Sequence, residues 1–307
     1  MQRVVICLDV GGTQIKAATV NEHGGILTPI RLVDACAGLA SEQLLDHFTK
    51  IIREQVSLSP DMKIAGVHMA FPGPFDYQHG ISLMRGLDKF DGLYGVDLPH
   101  ELSGRLKILG LTAKDFRFIN DVHAFALGEM RYGKAAGAPK AMFICIGTGC
   151  GSAFGINGSV TDERTPGVPR QGYIYPTAFL DGCVDDYLSK RGLMNLTREL
   201  LGVPLDGKQL AQLAQSGDRR AADCFQVFGE RVRDALVPFL HSYRPDCLCI
   251  GGQITKSASL FLNPLAAFCH AQHINLYVTD NTSQMTIMGL ADFEQSGFGG
   301  KHNEPSC

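Results

Sequence analysis

The stretch Val4-Val5-Ile6-Cys7-Leu8-Asp9-Val10-Gly11-Gly12-Thr13, near the start of the chain, decides the fold. Its first seven residues are apolar except for one aspartate and rich in β-branched side chains, which predicts a buried strand. The two glycines and the threonine predict a sharp turn, and Ile15–Val20 predicts a second strand that returns alongside the first. The chain is therefore expected to open with a strand, a glycine turn and another strand.

The same arrangement recurs in the middle of the chain. Phe143-Ile144-Cys145-Ile146-Gly147-Thr148-Gly149 repeats the buried run and the glycine turn, and Ser152–Ile156 supplies the return strand. The two copies lie about 140 residues apart, which is the length of one domain. We therefore expect two similar halves whose glycine turns face one ligand across a cleft.

Other apolar runs alternate with long amphipathic segments, and this alternation predicts an α/β architecture. The predicted strands are Met62–Phe71, Phe116–Asn120 and Cys247–Ile250, and the predicted helices begin at Ser41, Asp121 and Arg219.

Composition restricts the possible partners. The 307 residues, 45% of them hydrophobic, are enough for about two domains. The chain has 28 Lys and Arg against 31 Asp and Glu, a net charge of −3. This balance offers no electrostatic argument for nucleic acid or a membrane surface as partner. We expect a small-molecule ligand and neither of those partners.

The start of the chain and the cysteines indicate a compartment. Only Met1, Gln2 and Arg3 precede the first predicted strand, which leaves no room for a secretory signal. The ten cysteines lie largely in apolar runs, where a free cysteine behaves as a small hydrophobic residue. We therefore expect a cytoplasmic protein without a disulfide framework.

Successive backbone N–H groups in a glycine turn can bind a phosphate, although one such turn alone is more typical of an ordinary hairpin. Two turns of the same pattern, with a third glycine pair after a strand, favour phosphate binding. The chain has no P-loop motif. A dinucleotide-binding loop leads into a helix, whereas the second glycine turn of this chain leads into a predicted strand. The candidate phosphate-binding residues are Gly11, Gly12, Thr13, Gly147, Thr148, Gly149, Gly151, Gly251 and Gly252.

Polar side chains near these turns supply candidate chemistry. Asp9 could hold Mg²⁺ directly or through water, or could cap the turn. Lys16 could neutralise a phosphate or be a solvated strand residue. Asp121, directly after Asn120, could be a helix N-cap or a base at the mouth of the cleft, and the spacing leaves both roles open.

Five segments together resemble the ROK family (repressor, open reading frame, kinase), a group of sugar kinases in the actin/hexokinase superfamily. They agree with it in order and spacing over nearly the whole chain. Leu8–Lys16 resembles the phosphate-1 segment, Phe71–Asp76 the Pro-Gly-Pro sugar turn, and Asn120-Asp121 with Ala124, Gly128 and Glu129 the catalytic segment. Gly147–Gly151 resembles the phosphate-2 segment and Ile250–Gly252 the adenosine segment.

This resemblance implies an α/β fold of two RNase H-like (actin-like ATPase) domains with a cleft between them. We expect a first domain of residues 1–120, completed by a helix at about 285–297, a second domain of residues 121–284, and a flexible tail of residues 298–307. It also implies a possible homodimer.

The resemblance further assigns an activity, the ATP-dependent phosphorylation of a hexose or hexose-derivative hydroxyl. Asp121 is then the general base, and Gly73 and Asn120 contact the sugar. Asp9 binds Mg²⁺ through water, and the glycine turns with Lys16 bind ATP. ATP and Mg²⁺ are the implied cofactors.

The chain departs from the family on the sugar side. The family's zinc motif of one His and three Cys is replaced, with Pro176 at the His and only Cys183 left of the cysteines, so we predict no zinc. Tyr173 replaces one sugar-contacting Glu and Asp185 another, and we expect Asp185 to keep that role. The segment Arg85–Phe90 lacks the family's sugar-binding Asn.

Two alternatives stay open at this level. One is a non-catalytic sugar sensor, and the other is a superfamily kinase acting on a non-sugar acceptor. The sequence also leaves open which sugar and which hydroxyl react, and whether ATP or polyphosphate is the donor.

Overall fold

A computed structural model describes residues 2–87 and 89–291 of the chain. These residues divide into two units. One contains the residues up to Gly133 together with those from Ser283 onward, and the other contains Lys134–Thr282. The sequence predicts a boundary between residues 120 and 121, whereas in the structure the helix that starts at Asp121 belongs with the first unit.

The first unit is built on a five-stranded mixed sheet. Among the described residues, the unit has seven strands, five of which form this sheet. They are β1 (Gln2–Val10), β2 (Gln14–Asn21), β3 (Arg31–Asp34), β4 (Met62–Phe71), β5 (Phe75–Asp76), β6 (Ile81–Ser82) and β7 (Phe116–Asn120). The sheet order is β3-β2-β1-β4-β7, and β5 pairs with β6 separately. Strand β1 runs antiparallel to β2 and parallel to β4, which in turn is parallel to β7.

The helices of this unit are α1 (Ser41–Ser57), α2 (Leu98–Arg105) and α3 (Asp121–Tyr132). Helix α1 buries one apolar face, as its sequence period predicts. Phe48 on that face lies 5.9 Å from Phe71 of β4, ring centre to ring centre. Each such buried side chain contributes about 1.5–3 kcal/mol, so packing of α1 stabilises the sheet on which the site is built.

The second unit repeats this plan. Its strands are β8 (Lys140–Ile146), β9 (Cys150–Ile156), β10 (Ser159–Thr161), β11 (Ala178–Phe179), β12 (Gly182–Cys183), β13 (Cys247–Gly251) and β14 (Asn275–Val278). The sheet order β10-β9-β8-β13-β14 and its strand directions match those of the first sheet. The predicted α/β class with two related domains is confirmed.

The helices of the second unit include one long element that crosses its core. They are α4 (Val184–Tyr187), α5 (Lys190–Leu201), α6 (Gly207–Gln215), α7 (Arg219–Tyr243), α8 (Ala258–Phe261) and α9 (Asn263–Ala271). Tyr243 at the end of α7 is fully buried, and its hydroxyl donates to the carbonyl of Gly155 on β9 at 2.7 Å.

Helix α10 (Thr282–Ala291) packs on the first unit. A side chain on Gly128 of α3 would overlap the carbonyl of Met285, and one on Gly289 would overlap that of Ala124, so glycine lets the two helices approach closely. His68 of β4 lies within 2.7 Å of the Leu290 carbonyl oxygen. The expected helix at 285–297 is thus described as far as Ala291, and the rest of it and the expected tail at 298–307 lie outside the described residues.

Two further observations concern the chain as a whole. No disulfide joins any of the nine described cysteines, and most of them are buried. No helix among the residues described is both long enough and apolar enough to span a bilayer.

Candidate active site

The phosphate-1 turn, Gly11-Gly12-Thr13, joins β1 to β2. It is closed by a hydrogen bond from the Gly11 amide to the Gln14 carbonyl at 3.0 Å. Gly12 and Thr13 are exposed at its tip, so their amide groups and the threonine hydroxyl are open to a ligand. The structure thus forms the turn that the sequence predicts.

Asp9 and Lys16 face each other across the β1–β2 ladder beside this turn. The Lys16 ammonium lies 3.2 Å from the Asp9 carboxylate, and Asp9 is only 8% exposed. A buried carboxylate needs such a partner because loss of hydration is costly. Asp9 can offer one carboxylate to Mg²⁺, which commonly takes one or two protein carboxylates and completes its shell with phosphates and water.

Three parallel strands bring their carboxyl ends to one edge of the first sheet. Asp9 is paired with Ala70 of β4, and Phe71 is paired with Asn120 of β7. The turn containing Gly73 follows β4, and its Gly73–Pro74 peptide is cis. The edge therefore collects Asp9, Gly73, Asn120 and Asp121, at the place where open α/β sheets bind ligands.

Asn120, not Asp121, is the N-cap of α3. Its side-chain oxygen accepts from the amides of Val122 at 3.0 Å and His123 at 3.3 Å. Its Nδ2 donates to the Tyr77 hydroxyl at 3.2 Å, which donates in turn to the carbonyl of Phe71. Of the two roles left open for Asp121, the cap therefore belongs to its neighbour.

Asp121 is the first residue of α3 and is partly exposed. Its Oδ1 accepts from the Val122 amide at 3.0 Å. Desolvation, followed by the negative charge of Asp9, raises the pKa of Asp121 to about 6, while Lys89 and the Val122 amide act in the opposite direction. A carboxylate with such a pKa is ionised at neutral pH and can still accept a proton effectively.

The phosphate-2 turn, Gly147-Thr148-Gly149, joins β8 to β9 in the same way. The Gly147 amide donates to the Gly149 carbonyl at 2.9 Å, and Thr148 is exposed. Strand β9 begins at Cys150, so Gly151 lies within the strand, opposite Cys145. The sequence predicts Gly151 in the turn, and the structure corrects this.

The third glycine pair lies at the same edge of the second sheet. Gly251 ends β13 next to Cys145, and Gly252 follows at a φ of 94°. A side chain on Gly252 would overlap the carbonyl of Ile146, and its amide donates to the Thr282 hydroxyl at 2.8 Å. Gly252 therefore packs directly behind the phosphate-2 turn, a contact that sequence patterns did not show.

Asp185 also lies next to the phosphate-2 turn. Its Oδ1 accepts from the Cys150 amide at 2.7 Å, and a Cβ added to Gly149 would stand 2.8 Å from the same oxygen. Its Oδ2 lies 3.2 Å from Nη2 of Arg191, which also contacts Asp186. Sequence reasoning assigned Asp185 to the sugar and missed Arg191, since no local pattern marks either contact.

The residues that replace the family's zinc motif lie in the part of the chain that the structure describes. No group of three His, Cys, Asp or Glu side chains there has the geometry to hold a metal ion. Cys183 is buried at the start of α4, where its amide donates to Asp186 at 3.0 Å.

Comparison with known proteins identifies the group to which this arrangement is similar. The ROK family pattern matches residues 5–297. The glucokinase of Thermotoga maritima is 27% identical over 286 residues, 85% of each chain. The N-acetyl-D-glucosamine kinase of Haemophilus influenzae is 24% identical over 272 residues, 83% of this chain and 85% of that protein. The crystal structure of a ROK family glucokinase from Streptomyces griseus, in complex with glucose and AMPPNP, has a TM-score of 0.75 at 21% identity and covers 96% of this chain and 100% of its own.

Proposed function

The chain belongs to the ROK family, and on that premise we propose that it is a sugar kinase that transfers the γ-phosphoryl group of ATP to a hydroxyl of a hexose or hexose derivative. The observation that carries the proposal is the position of Asp121. A carboxyl with a pKa of about 6 stands at the sheet edge that also holds Asp9 and the phosphate-1 turn.

Asp121 acts as the general base in this proposal. The Asp121 carboxylate accepts the proton of the sugar hydroxyl as the hydroxyl oxygen bonds to the γ-phosphorus. The bond from the γ-phosphorus to the bridging oxygen breaks, and ADP leaves with the electron pair. General base catalysis of this kind typically contributes about 10²–10⁴-fold to the rate.

The glycine turns act on the phosphates. Phosphoryl transfer needs positioning and charge neutralisation more than covalent chemistry. Backbone amides of both turns, the Thr13 and Thr148 hydroxyls and the Lys16 ammonium supply both, and Gly251 and Gly252 support the second turn. Mg²⁺, when bound, neutralises charge on the phosphate oxygens, and Asp9 is the residue that would hold it, through water.

The proposed sugar contacts come from Asn120 and Gly73 at the edge of the first sheet and from Asp185 beside the phosphate-2 turn. Asn120 has its oxygen committed to capping α3 and one Nδ2 hydrogen committed to Tyr77, so the second hydrogen is what it can offer to a sugar hydroxyl. Gly73 contributes backbone next to it. The Asp185 carboxylate already accepts a hydrogen bond from the Cys150 amide and pairs with Arg191. It can offer a sugar hydroxyl only the lone pairs that these two partners leave open.

A coupled assay of ADP release over a panel of hexoses and N-acetylated amino sugars tests the proposal. We expect sugar-dependent turnover with Mg·ATP and a loss of at least about 10²-fold in Asp121→Asn, which keeps the shape of the side chain. Polyphosphate replaces ATP in a parallel series to identify the donor.

Three results would contradict the proposal. Near-normal turnover of Asp121→Asn would remove the base. Sugar binding by calorimetry without nucleotide consumption would indicate a sensor, and activity only with carboxylate acceptors would indicate another kinase of the superfamily.

A further inference from the structure

Lys89 lies over the phosphate-1 turn, although no sequence pattern assigned it to the site. A Cβ built on Gly12 would stand 3.7 Å from Cδ and 3.9 Å from Cβ of Lys89, which is van der Waals contact. Gly12 is exposed at the tip of the turn, while Lys89 is partly buried. The stem of this lysine therefore covers one side of the turn that we propose to bind phosphate.

The charge of Lys89 also reaches the proposed base. Lys89 lowers the pKa of Asp121, opposing the effects of desolvation and of Asp9. Its ammonium group is therefore within Coulombic range of the carboxylate that would receive the hydroxyl proton.

Lys89 and Lys16 differ in how far their charges are committed. Lys16 is paired with Asp9 at 3.2 Å. Within residues 2–87 and 89–291, no side chain forms a hydrogen bond or ion pair with the Lys89 ammonium. A cation that stands beside a phosphate turn and lacks a protein partner has its charge available for a ligand.

We infer that Lys89 is a catalytic residue whose ammonium group contacts the γ-phosphoryl oxygens during transfer to the sugar hydroxyl. The inference rests on the proposed function. As the γ-phosphorus passes from the bridging oxygen to the hydroxyl oxygen, charge is spread over its three equatorial oxygens. The nearby carboxylates Asp9 and Asp121 both repel that charge, and Lys16 is already shared with Asp9. A second side-chain cation at the transferring group would add to the neutralisation that Mg²⁺ supplies when bound.

The sequence context makes this a property of the chain itself. Lys89 belongs to the segment Arg85–Phe90, which departs from the family pattern by lacking its sugar-binding Asn. Within this segment, Lys89 places a cation beside the phosphate-1 turn.

The test compares Lys89→Met with Lys89→Arg, and with Lys50→Met as a matched control on the exposed surface of α1. Kinetics with Mg·ATP and the preferred sugar are measured together with the affinities for ADP and for AMPPNP, a non-hydrolysable analogue that keeps three phosphoryl groups. We expect Lys89→Met to lower kcat by about 10²-fold or more, the usual effect of removing one transition-state contact.

The binding data report the contact independently of turnover. We expect Lys89→Met to weaken AMPPNP binding several-fold and to leave the ADP affinity unchanged, because ADP has no γ-phosphoryl group. Lys89→Arg should recover part of kcat by keeping the charge, and Lys50→Met should match the parent protein in every measurement.

Two outcomes would overturn the inference while leaving the proposed function intact. One is a kcat of Lys89→Met within threefold of the parent. The other is an increase confined to the sugar KM, which would make Lys89 a substrate-specificity residue. If the parent protein shows no sugar-dependent ADP release, the proposed function fails. The Lys89 contact is overturned separately if Lys89→Met loses AMPPNP affinity and ADP affinity equally.

Discussion

The backbone amide of Cys150 donates a 2.7 Å hydrogen bond to Oδ1 of Asp185. This bond ties the first residue after the phosphate-2 turn to the N-terminal end of α4. The Lys190 amide donates to the Gly147 carbonyl at 2.8 Å, so both ends of the turn are held by the same stretch of chain. We infer that Asp185 positions the turn, in addition to any contact with substrate.

Asp185→Ala is expected to weaken nucleotide binding. The substitution leaves the Cys150 amide without its acceptor, and a hydrogen bond to a charged group is worth about 1.5–3 kcal/mol. We expect the KM for ATP to rise about 10-fold or more, with a smaller change in the KM for the sugar, as measured by steady-state kinetics. Arg191→Met is the matched control, because it removes an exposed ion pair and keeps the Cys150 hydrogen bond, so its effect should be small. A change limited to the sugar KM would assign Asp185 to the sugar alone.

The acid limit of activity should follow Asp121. Its pKa is raised to about 6 by desolvation and by Asp9, and only the ionised form can accept a proton. We therefore expect kcat/KM for the sugar, at saturating Mg·ATP, to fall as the pH drops below about 6. The ¹³C resonance of the Asp121 carboxyl should titrate near the same pH. Because this measurement is made without nucleotide, it excludes protonation of ATP as the cause of the fall in activity. An activity that stays level down to pH 5 would count against this carboxyl as the base.

The same carboxyl should reduce folding stability at neutral pH. Its pKa in the folded protein is about 6, against an ordinary aspartate value of 3.8, so ionisation is easier in the unfolded chain. The parent protein thus loses stability as pH rises from about 4 to above 6, by about 2–3 kcal/mol at roughly 1.4 kcal/mol per pKa unit. Asp121→Asn avoids this cost and keeps an oxygen for the Val122 amide.

Urea unfolding at pH 4 and pH 8 measures this effect. The advantage of Asp121→Asn should be small at pH 4 and close to its full value at pH 8. Asp61→Asn changes the net charge equally at an exposed site and is the control. Equal advantages at both pH values would mean that the Asp121 carboxyl is not destabilised by its surroundings.

Gly252→Ala should destabilise the second unit. The residue has a φ of 94°, and a Cβ there would overlap the Ile146 carbonyl. Backbone strain alone costs about 1–3 kcal/mol, and the overlap adds to it. Gly147→Ala is the control, since nothing stands within 4 Å of a Cβ at that position. Denaturant midpoints should fall clearly for the first variant and by little for the second, and equal shifts would show that the close approach to β8 is not required.

The elements next to the glycine turns could be predicted from the sequence because their signals are local. Met62–Phe71 and Phe116–Asn120 end at the predicted residues, since apolar runs stop there at proline, glycine or a polar pair. The repeat of strand, turn and strand likewise predicted two related sheets. Strand β3 was missed because four half-buried residues have too little periodicity to stand out.

The site itself was only partly predictable. Asp9, Asn120 and Asp121 follow from their positions at strand ends, although adjacent Asn and Asp are both good N-caps and the sequence could not choose between them. The hydrogen bond between Asp185 and Cys150, and the position of Lys89 beside Gly12, bring together residues that are far apart in the chain. Such contacts depend on loop paths that carry no periodic pattern, so they required the structure.

Helix α10 has a consequence for biosynthesis. Because the first unit takes its last helix from beyond the whole second unit, a ribosome must finish the second unit before the first has all of its parts. During translation, the surfaces of α3 and β4 that contact this helix stay uncovered until Gly289 and Leu290 have emerged. The unit that is begun first is therefore completed last.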